Sequence, residues 1–228
     1  MRNLSVAVVI PTLNEQASIG QVLAVIPADD VDEVIVVDGG SSDRTVALAE
    51  AAGARIVHEP RRGYGWACAS GVAATKSDIV VFLDADGADD PAQLPDLLAP
   101  ILMGQADMVL GSRLAGEIAP GAMPWHQRFG NWLAAWLIRR LYGLPLTDLS
   151  PFRAVGRKLL LGLEMEEMTY GWPTEMIVKA ARAGWRVLEM PVRYRPRLGG
   201  RSKISGTVRG TVLATYNILR TVFRYARG

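Results

Sequence analysis

Over its first 110 residues the chain alternates between apolar, β-branched runs and stretches of helical apolar spacing, and nothing else in the sequence limits the fold as tightly. The runs 4–10 (LSVAVVI), 33–38 (EVIVVD), 54–59 (ARIVHE), 78–84 (DIVVFLD) and 106–112 (ADMVLGS) read as strands. Helical patterns fall between them at 15–26, 41–53, 64–76 and 91–103. The second starts on capping residues and stops at Gly53, and the last carries Pro91 at its first position. This rhythm predicts an α/β fold, a mainly parallel central sheet flanked by helices. Ligands of such sheets bind beyond the carboxyl ends of the strands. Segments 11–15, 38–42, 84–90 and 111–113 all follow directly after strands, so they should gather at one edge.

The remainder is less regular. It predicts helices at 130–143, with Trp132, Leu133, Trp136 and Leu137 on one side, and at 171–184. A strand at 186–196 is expected at a sheet edge because of Pro191. The tail from 204 to 227 reads as a helix with an apolar stripe of Val208, Val212, Leu219, Val222 and Phe223. No repeat, low-complexity tract or linker divides the 228 residues, so one domain is expected.

Charge narrows the partners. Twenty-five basic and 23 acidic residues leave +2, too balanced for a general nucleic-acid binder. From Arg182 onward, however, ten arginines and Lys203 face one acid, Glu189, which points to an anionic ligand or surface. The single cysteine, Cys68, allows no internal disulfide, and two histidines make no Cys/His metal cluster. A cytoplasmic location fits. The apolar part of the N-terminus is too short for a signal peptide, and no run reaches the roughly 18 to 20 apolar residues that span a bilayer.

The segment FLDADGADDP (82–91) poses the chemical question. Asp84, Asp86, Asp89, Asp90 and Asp96 crowd into little more than a dozen positions, and like charges this close call for a counter-ion. The segment is either a solvated turn or a divalent-metal site. Asp84 ends a strand and Asp86 follows two positions on, separated by Ala85. Mg²⁺ or Mn²⁺ takes oxygen ligands and often keeps phosphate oxygens as well, so the pair suits a metal–diphosphate complex.

Other motifs have two readings each. In PTLNE (11–15), Asn14 and Glu15 cap the next helix or line a nucleotide pocket with Pro11, and Asp38 in VVDGGSSDRT (36–45) caps a turn or accepts from ribose or base. Gly63 and Gly65 lack the third glycine of a dinucleotide fingerprint because position 68 is Cys68. Arg61 and Arg62 beside them fit a nucleotide-facing loop or a plain surface. GGRSKISG (199–206) places Arg201 and Lys203 between glycines, as a solvated loop or as one that closes over a leaving diphosphate. Arg113, His126 and Arg128 supply cations for a second anion. Asp148, Arg153 and Glu175 either brace the core or face an acceptor.

PTLNE, VVDGGSSDRT, FLDADGADDP and GSR (111–113), in this order, resemble family 2 glycosyltransferases of the GT-A, Rossmann-like fold. TDLSPFRA (147–154), YGWPTEM (170–176) and GGRSKISG resemble the branch like dolichol-phosphate mannosyltransferase. The resemblance implies a UDP- or GDP-sugar donor, a divalent metal and inversion at the anomeric carbon. By that resemblance Pro11, Asn14, Glu15 and Asp38 contact the nucleoside, while Asp84 and Asp86 serve metal and diphosphate; Arg61, Gly63 and Ala85 are expected to line the same nucleotide-sugar site. The resemblance also makes 1–113 the nucleotide-sugar half, 114–203 the acceptor half and 204–228 an amphipathic C-terminal helix. Many relatives have a second acid at Gly39 and a polar side chain at Ala88, so base recognition differs here and the metal should carry more water.

The acceptor decides which further residues are catalytic beside Asp86, Arg201 and Lys203. A phosphate monoester is already ionised near neutrality and needs cations such as Arg113, Arg128 and Arg153, with no base. A polyprenyl phosphate at a membrane surface is the expectation, with the basic tail lying at the interface and self-association left open. A soluble hydroxyl acceptor would need a base, with Glu175 or Asp148 in that role. A sugar-phosphate nucleotidyltransferase would want a basic, glycine-rich loop after the first strand, where PTLNE stands. A non-catalytic nucleotide-sugar-binding protein would have no use for the paired aspartates.

Overall fold

A computed structural model describes residues 4–199 and 208–226. The first four strands are β1 (Val6–Thr12), β2 (Glu33–Asp38), β3 (Arg55–His58) and β4 (Ile79–Phe82). Between them run α1 (Ile19–Val25), α2 (Thr45–Ala51) and α3 (Tyr64–Ala74), and α4 (Leu94–Leu102) follows. The apolar runs of β1 and β4 are buried throughout because helices cover both faces of the sheet. Val9, Val37 and Phe82 face one layer, with Cys68 and Val72 of α3; Ile10, Val36 and Leu83 face the other, with Ile19, Leu94 and Leu97.

Later elements are β5 (Met108–Ile118), α5 (Trp125–Tyr142), β6 (Arg153–Gly156), α6 (Arg157–Gly162), α7 (Trp172–Arg182), β7 (Val187–Tyr194) and α8 (Val208–Arg224). The seven strands form one sheet in the order β3-β2-β1-β4-β6-β5-β7. Only β6 is antiparallel to its neighbours β4 and β5; the other pairings are parallel. The expected mainly parallel α/β sheet is therefore present, with β7 and its proline at an edge. The chain turns from β1 outward to β2 and β3, then returns to place β4 on the other flank of β1. That reversal opens a crevice above the carboxyl ends of β1 and β4.

Several boundaries differ from the sequence pattern. α1 begins only at Ile19, since 15–18 form a turn whose amides Ser18 N and Ile19 N both donate to the Glu15 carbonyl. β5 continues to Ile118 because β7 pairs with it past a register shift between Ser112 and Glu117. α5 starts five residues early, directly after Pro124. Its buried side is Ala134, Ala135 and Ile138, whereas Trp132 and Trp136 stand exposed. Val222 of the expected tail stripe packs into the core, while Phe223 is exposed. Among the described residues no helix is long and apolar enough to cross a membrane.

Candidate active site

Two cavities meet over the crevice. One, of about 530 Å³, is walled by the loops after β1 and β2 and the start of α3, including Pro11, Asn14, Glu15, Gly39, Arg61 and Gly63. The other, of about 230 Å³, lies beneath α5, with apolar walls that include Leu133, Leu149, Ile218 and Leu219 and a polar side of Asp89 and Arg113. Tyr64, Asp84, Asp86, Tyr170 and Arg197 belong to both. The Asp84–Asp86 pair is thus the partition between them.

The first cavity owes its shape to short-range polar ties. Asn14 sits in the left-handed region at φ 52°. Its side-chain oxygen accepts from Ser42 N at 2.8 Å, and its amide donates to Ser41 Oγ at 2.8 Å. Glu15 N donates to Thr45 Oγ1 at 2.7 Å, so the loops after β1 and β2 move as one piece. Asp38 is spent on this scaffold: Gly40 N and Ser41 N each donate to its buried carboxylate at 3.1 Å, and it does not line the cavity. Arg61 does, held by two bonds to Glu59 at 2.7 and 2.6 Å and lying 3.6 Å over the Trp66 ring. The Arg61 guanidinium holds the buried Glu59 carboxyl down to about 2. Sequence reasoning missed Glu59 and Trp66; an acid two positions before a basic pair was the available signal. Gly63 and Gly65 serve close packing, since a Cβ at 65 would lie 2.6 Å from Met168 Cα, on the segment that carries Tyr170.

At the partition, Tyr64 donates to Asp84 Oδ1 at 3.2 Å, and Arg197 contacts Asp86 Oδ2 at 2.8 Å. Gly87 turns the loop at φ +73°, and a Cβ there would meet Leu198 at 2.4 Å, so the segment after β7 lies directly across the aspartates. Leu198 N donates to the Asp86 carbonyl at 3.0 Å in the same crossing. Burial, and next the Asp86 carboxylate, push Asp84 up to about 6. Two hard carboxylate oxygens that repel each other across a cavity fit a divalent cation. Among the described residues no third acidic, His or Cys ligand joins them, so diphosphate oxygens and water would complete the shell. Since a proton competes with the cation for Asp84, binding of a Mn²⁺–nucleotide sugar is expected to weaken as pH falls through about 6, by up to about tenfold per unit. Calorimetric titration between pH 5 and 8 measures this; a flat profile would remove Asp84 from the ligand set.

The residues expected to face an acceptor divide. Arg113 lines the second cavity, buried, with Nε and Nη2 on the Asp148 carboxylate at 2.7 and 2.8 Å. Burial raises Asp148, but the Arg113 guanidinium outweighs it and holds the carboxyl below its ordinary range. Asp148 therefore pairs with Arg113 and lines neither cavity. Glu175 is likewise buried and fully engaged. It accepts from the amides of Glu166 at 3.0 Å and Glu167 at 2.7 Å and from the Tyr225 hydroxyl at 2.6 Å, and it pairs with Lys179 at 3.1 Å. Arg153 lines neither cavity and donates to the carbonyls of Ser150, Pro151 and Pro173. Pro151 and Pro173 line the second cavity, so Arg153 fixes its wall from behind. Arg128 is exposed and off both cavities, while His126 lines the second. Arg201 and Lys203 lie outside the described residues.

Comparison with known proteins agrees with this architecture. The model of glycosyl transferase family 2 matches residues 7–162. A glycosyltransferase of Mycobacterium tuberculosis is 42% identical over 218 residues, 96% of this chain and 98% of that protein. The dolichyl-phosphate hexose transferase of Haloferax volcanii is 38% identical over 198 residues, covering 85% and 84%. The undecaprenyl-phosphate mannosyltransferase of Micrococcus luteus is 31% identical over 242 residues, covering 95% and 93%. Among solved structures, glucosyl-3-phosphoglycerate synthase from Mycobacterium tuberculosis, in complex with Mn²⁺, UDP and phosphoglyceric acid, superposes with a TM-score of 0.80 at 27% identity, over 99% of this chain and 79% of that one. With paired aspartates at the end of β4 and loops closed around a cavity beside them, the chain belongs to glycosyltransferase family 2, in its dolichol-phosphate mannosyltransferase-like branch and on the GT-A fold.

Proposed function

We propose that this enzyme transfers a hexose from a nucleotide sugar to the phosphate of a polyprenyl lipid, with inversion at the anomeric carbon. The observation that carries the reading is the partition: two cavities share Asp84 and Asp86, and the second has an aliphatic wall of Leu133, Leu149, Ile218 and Leu219. The nucleotide lies against Asn14, Glu15 and Arg61, and its diphosphate reaches Asp84 and Asp86. A divalent cation held there neutralises charge on the departing diphosphate. Arg197 already faces this point, and Arg201 and Lys203 follow it in sequence. The acceptor phosphate enters the second cavity near Arg113. It arrives ionised, so no base is required, which accords with the full engagement of Asp148 and Glu175.

Two features favour a lipid. One wall of the second cavity is aliphatic, with Leu133, Leu149, Ile218 and Leu219. Its roof, α5, presents Trp125, Phe129, Trp132 and Trp136 outward at 78%, 55%, 50% and 42% exposure, on one stripe of a helix with no acidic residue. Tryptophan and arginine on one exposed face suit an anionic bilayer interface. A second reading, a small phosphorylated acceptor, is favoured by the solved relative that holds phosphoglyceric acid.

The test offers polyprenyl phosphate, the matching dephosphorylated alcohol and phosphoglycerate to the enzyme with Mn²⁺. Polyprenyl phosphate is expected to be preferred by at least about tenfold, with the opposite anomeric configuration in the product. Full-length protein should float with anionic liposomes, and Trp132→Ala with Trp136→Ala should reduce flotation. Preference for phosphoglycerate without flotation would establish the second reading instead.

A further inference from the structure

Four of the five crowded carboxylates have partners or solvent. Asp84 accepts from Tyr64 and Asp86 pairs with Arg197. Asp90 accepts Ala92 N and holds Arg193 and Arg195 at 2.9 and 3.0 Å. Asp96 is exposed in the first turn of α4, where a helix favours an acid. Asp89 is the exception. It is 2% exposed, yet its Oδ1 has no hydrogen-bond partner. Buried acceptors are rarely left so, because losing water without gaining a donor is costly.

Its position is fixed from both sides. The Asp89 backbone bridges Tyr194 at the end of β7, and Arg195 N donates to the Ala88 carbonyl at 2.8 Å. Asp89 lines the second cavity and not the first, one short loop beyond the paired aspartates. The chemistry of its ligand follows by elimination. An ionised phosphate drawn to Arg113 brings no proton for this oxygen and would lie closer to Asp84 and Asp86 if it turned toward Asp89, so it does not satisfy Asp89. A metal ion would lack a third ligand among the described residues. A neutral hydroxyl donor satisfies the oxygen at no such cost. When a diphosphate sits at Asp84 and Asp86, the group attached to it is the first to enter the second cavity.

We propose that Asp89 accepts a hydrogen bond from a ring hydroxyl of the transferred sugar, and so helps to decide which sugar the enzyme accepts. This rests on the nucleotide-sugar reading above. Asp89 then acts on the donor alone and is indifferent to whether the acceptor is a lipid or a small phosphate.

The experiment measures kcat/KM for wild type and Asp89→Ala with Mn²⁺ and the better of UDP-glucose and GDP-mannose, beside the 2-, 3-, 4- and 6-deoxy analogues of that donor. Asp89→Ala should lower kcat/KM for the parent by about tenfold or more, as for loss of a buried hydrogen-bond partner. For one deoxy analogue the two proteins should be equal, because the hydroxyl that met Asp89 is gone. Affinity for the free nucleoside diphosphate with Mn²⁺ should stay within about twofold. Asp89→Asn, which keeps volume and an acceptor oxygen, carries the same test should the alanine variant fail to fold, and should lie between the two. An equal loss with every donor, or no loss, would overturn the assignment. Failure of wild type to bind either nucleoside diphosphate with Mn²⁺ would instead overturn the donor reading, and this inference with it.

Discussion

Asp86→Ala is expected to abolish sugar transfer while the fold stays intact. Asp86 is buried at the partition, with Oδ1 accepting Ala88 N at 2.8 Å and Oδ2 against Arg197. Its removal halves the carboxylate pair that fits the cation and leaves the diphosphate charge without a fixed counterweight. Loss of one such electrostatic element costs on the order of a hundred- to a thousandfold in turnover, and here the metal site itself is lost. Stability should change little. The variant loses one backbone contact and frees Arg197, but it also relieves repulsion with Asp84, whose pKa should fall toward its ordinary range as far as burial allows. Steady-state kinetics, Mn²⁺–nucleotide titration and thermal melts of the metal-free protein measure the three effects. Full activity of the variant, or of wild type in excess chelator, would sink the metal assignment.

Asp148→Ala should produce the largest loss of stability, about 3–5 kcal/mol, because it strands the buried Arg113 guanidinium. For a chain of this size each kcal/mol lowers the melting temperature by about 2–4 °C, so a drop of roughly 6–20 °C is expected. The sign with pH follows from the depressed Asp148 pKa. Its contribution is fully present above the ordinary carboxylate range and is lost as pH falls through its lowered value, so the gap between variant and wild type should close in acid. Denaturant titration at neutral and acid pH reads both. An unchanged midpoint with lost turnover would return Asp148 to the role of a base.

What could be read in the sequence follows the range of the forces involved. β1, β2 and β4 announced themselves because each is apolar on both faces, a property of the strand alone. The four residues of β6 did not, since that strand exists only through pairing with β4 and β5, far off in sequence. β5 was read six residues short for a similar reason: the register that extends it belongs to β7. The site divides in the same way. The strand-end positions of Asp84 and Asp86 were legible. The arginines that meet Asp86 and Asp90 come from 193–197, about a hundred residues on, and no local pattern pairs them. Glu175 looked available as a base because its partners, the amides of 166 and 167 and the Tyr225 hydroxyl, appear only once α7 and α8 are packed. The partner of Asp148 is Arg113, 35 residues earlier, and no local pattern links the two.

Because Tyr64, Asp84, Asp86, Tyr170 and Arg197 stand in both cavities, no molecule can fill one without changing what its neighbour meets. In the proposed arrangement, a donor that draws Arg197 away from Asp86 changes the electrostatics of the second cavity at the same moment. Binding free energies around a closed cycle must agree, so whatever factor the donor imposes on acceptor affinity, the acceptor imposes on donor affinity in return. In the proposed arrangement the two substrates are thermodynamic partners before any bond is broken, and an affinity for either one is to be quoted at a stated occupancy of the other.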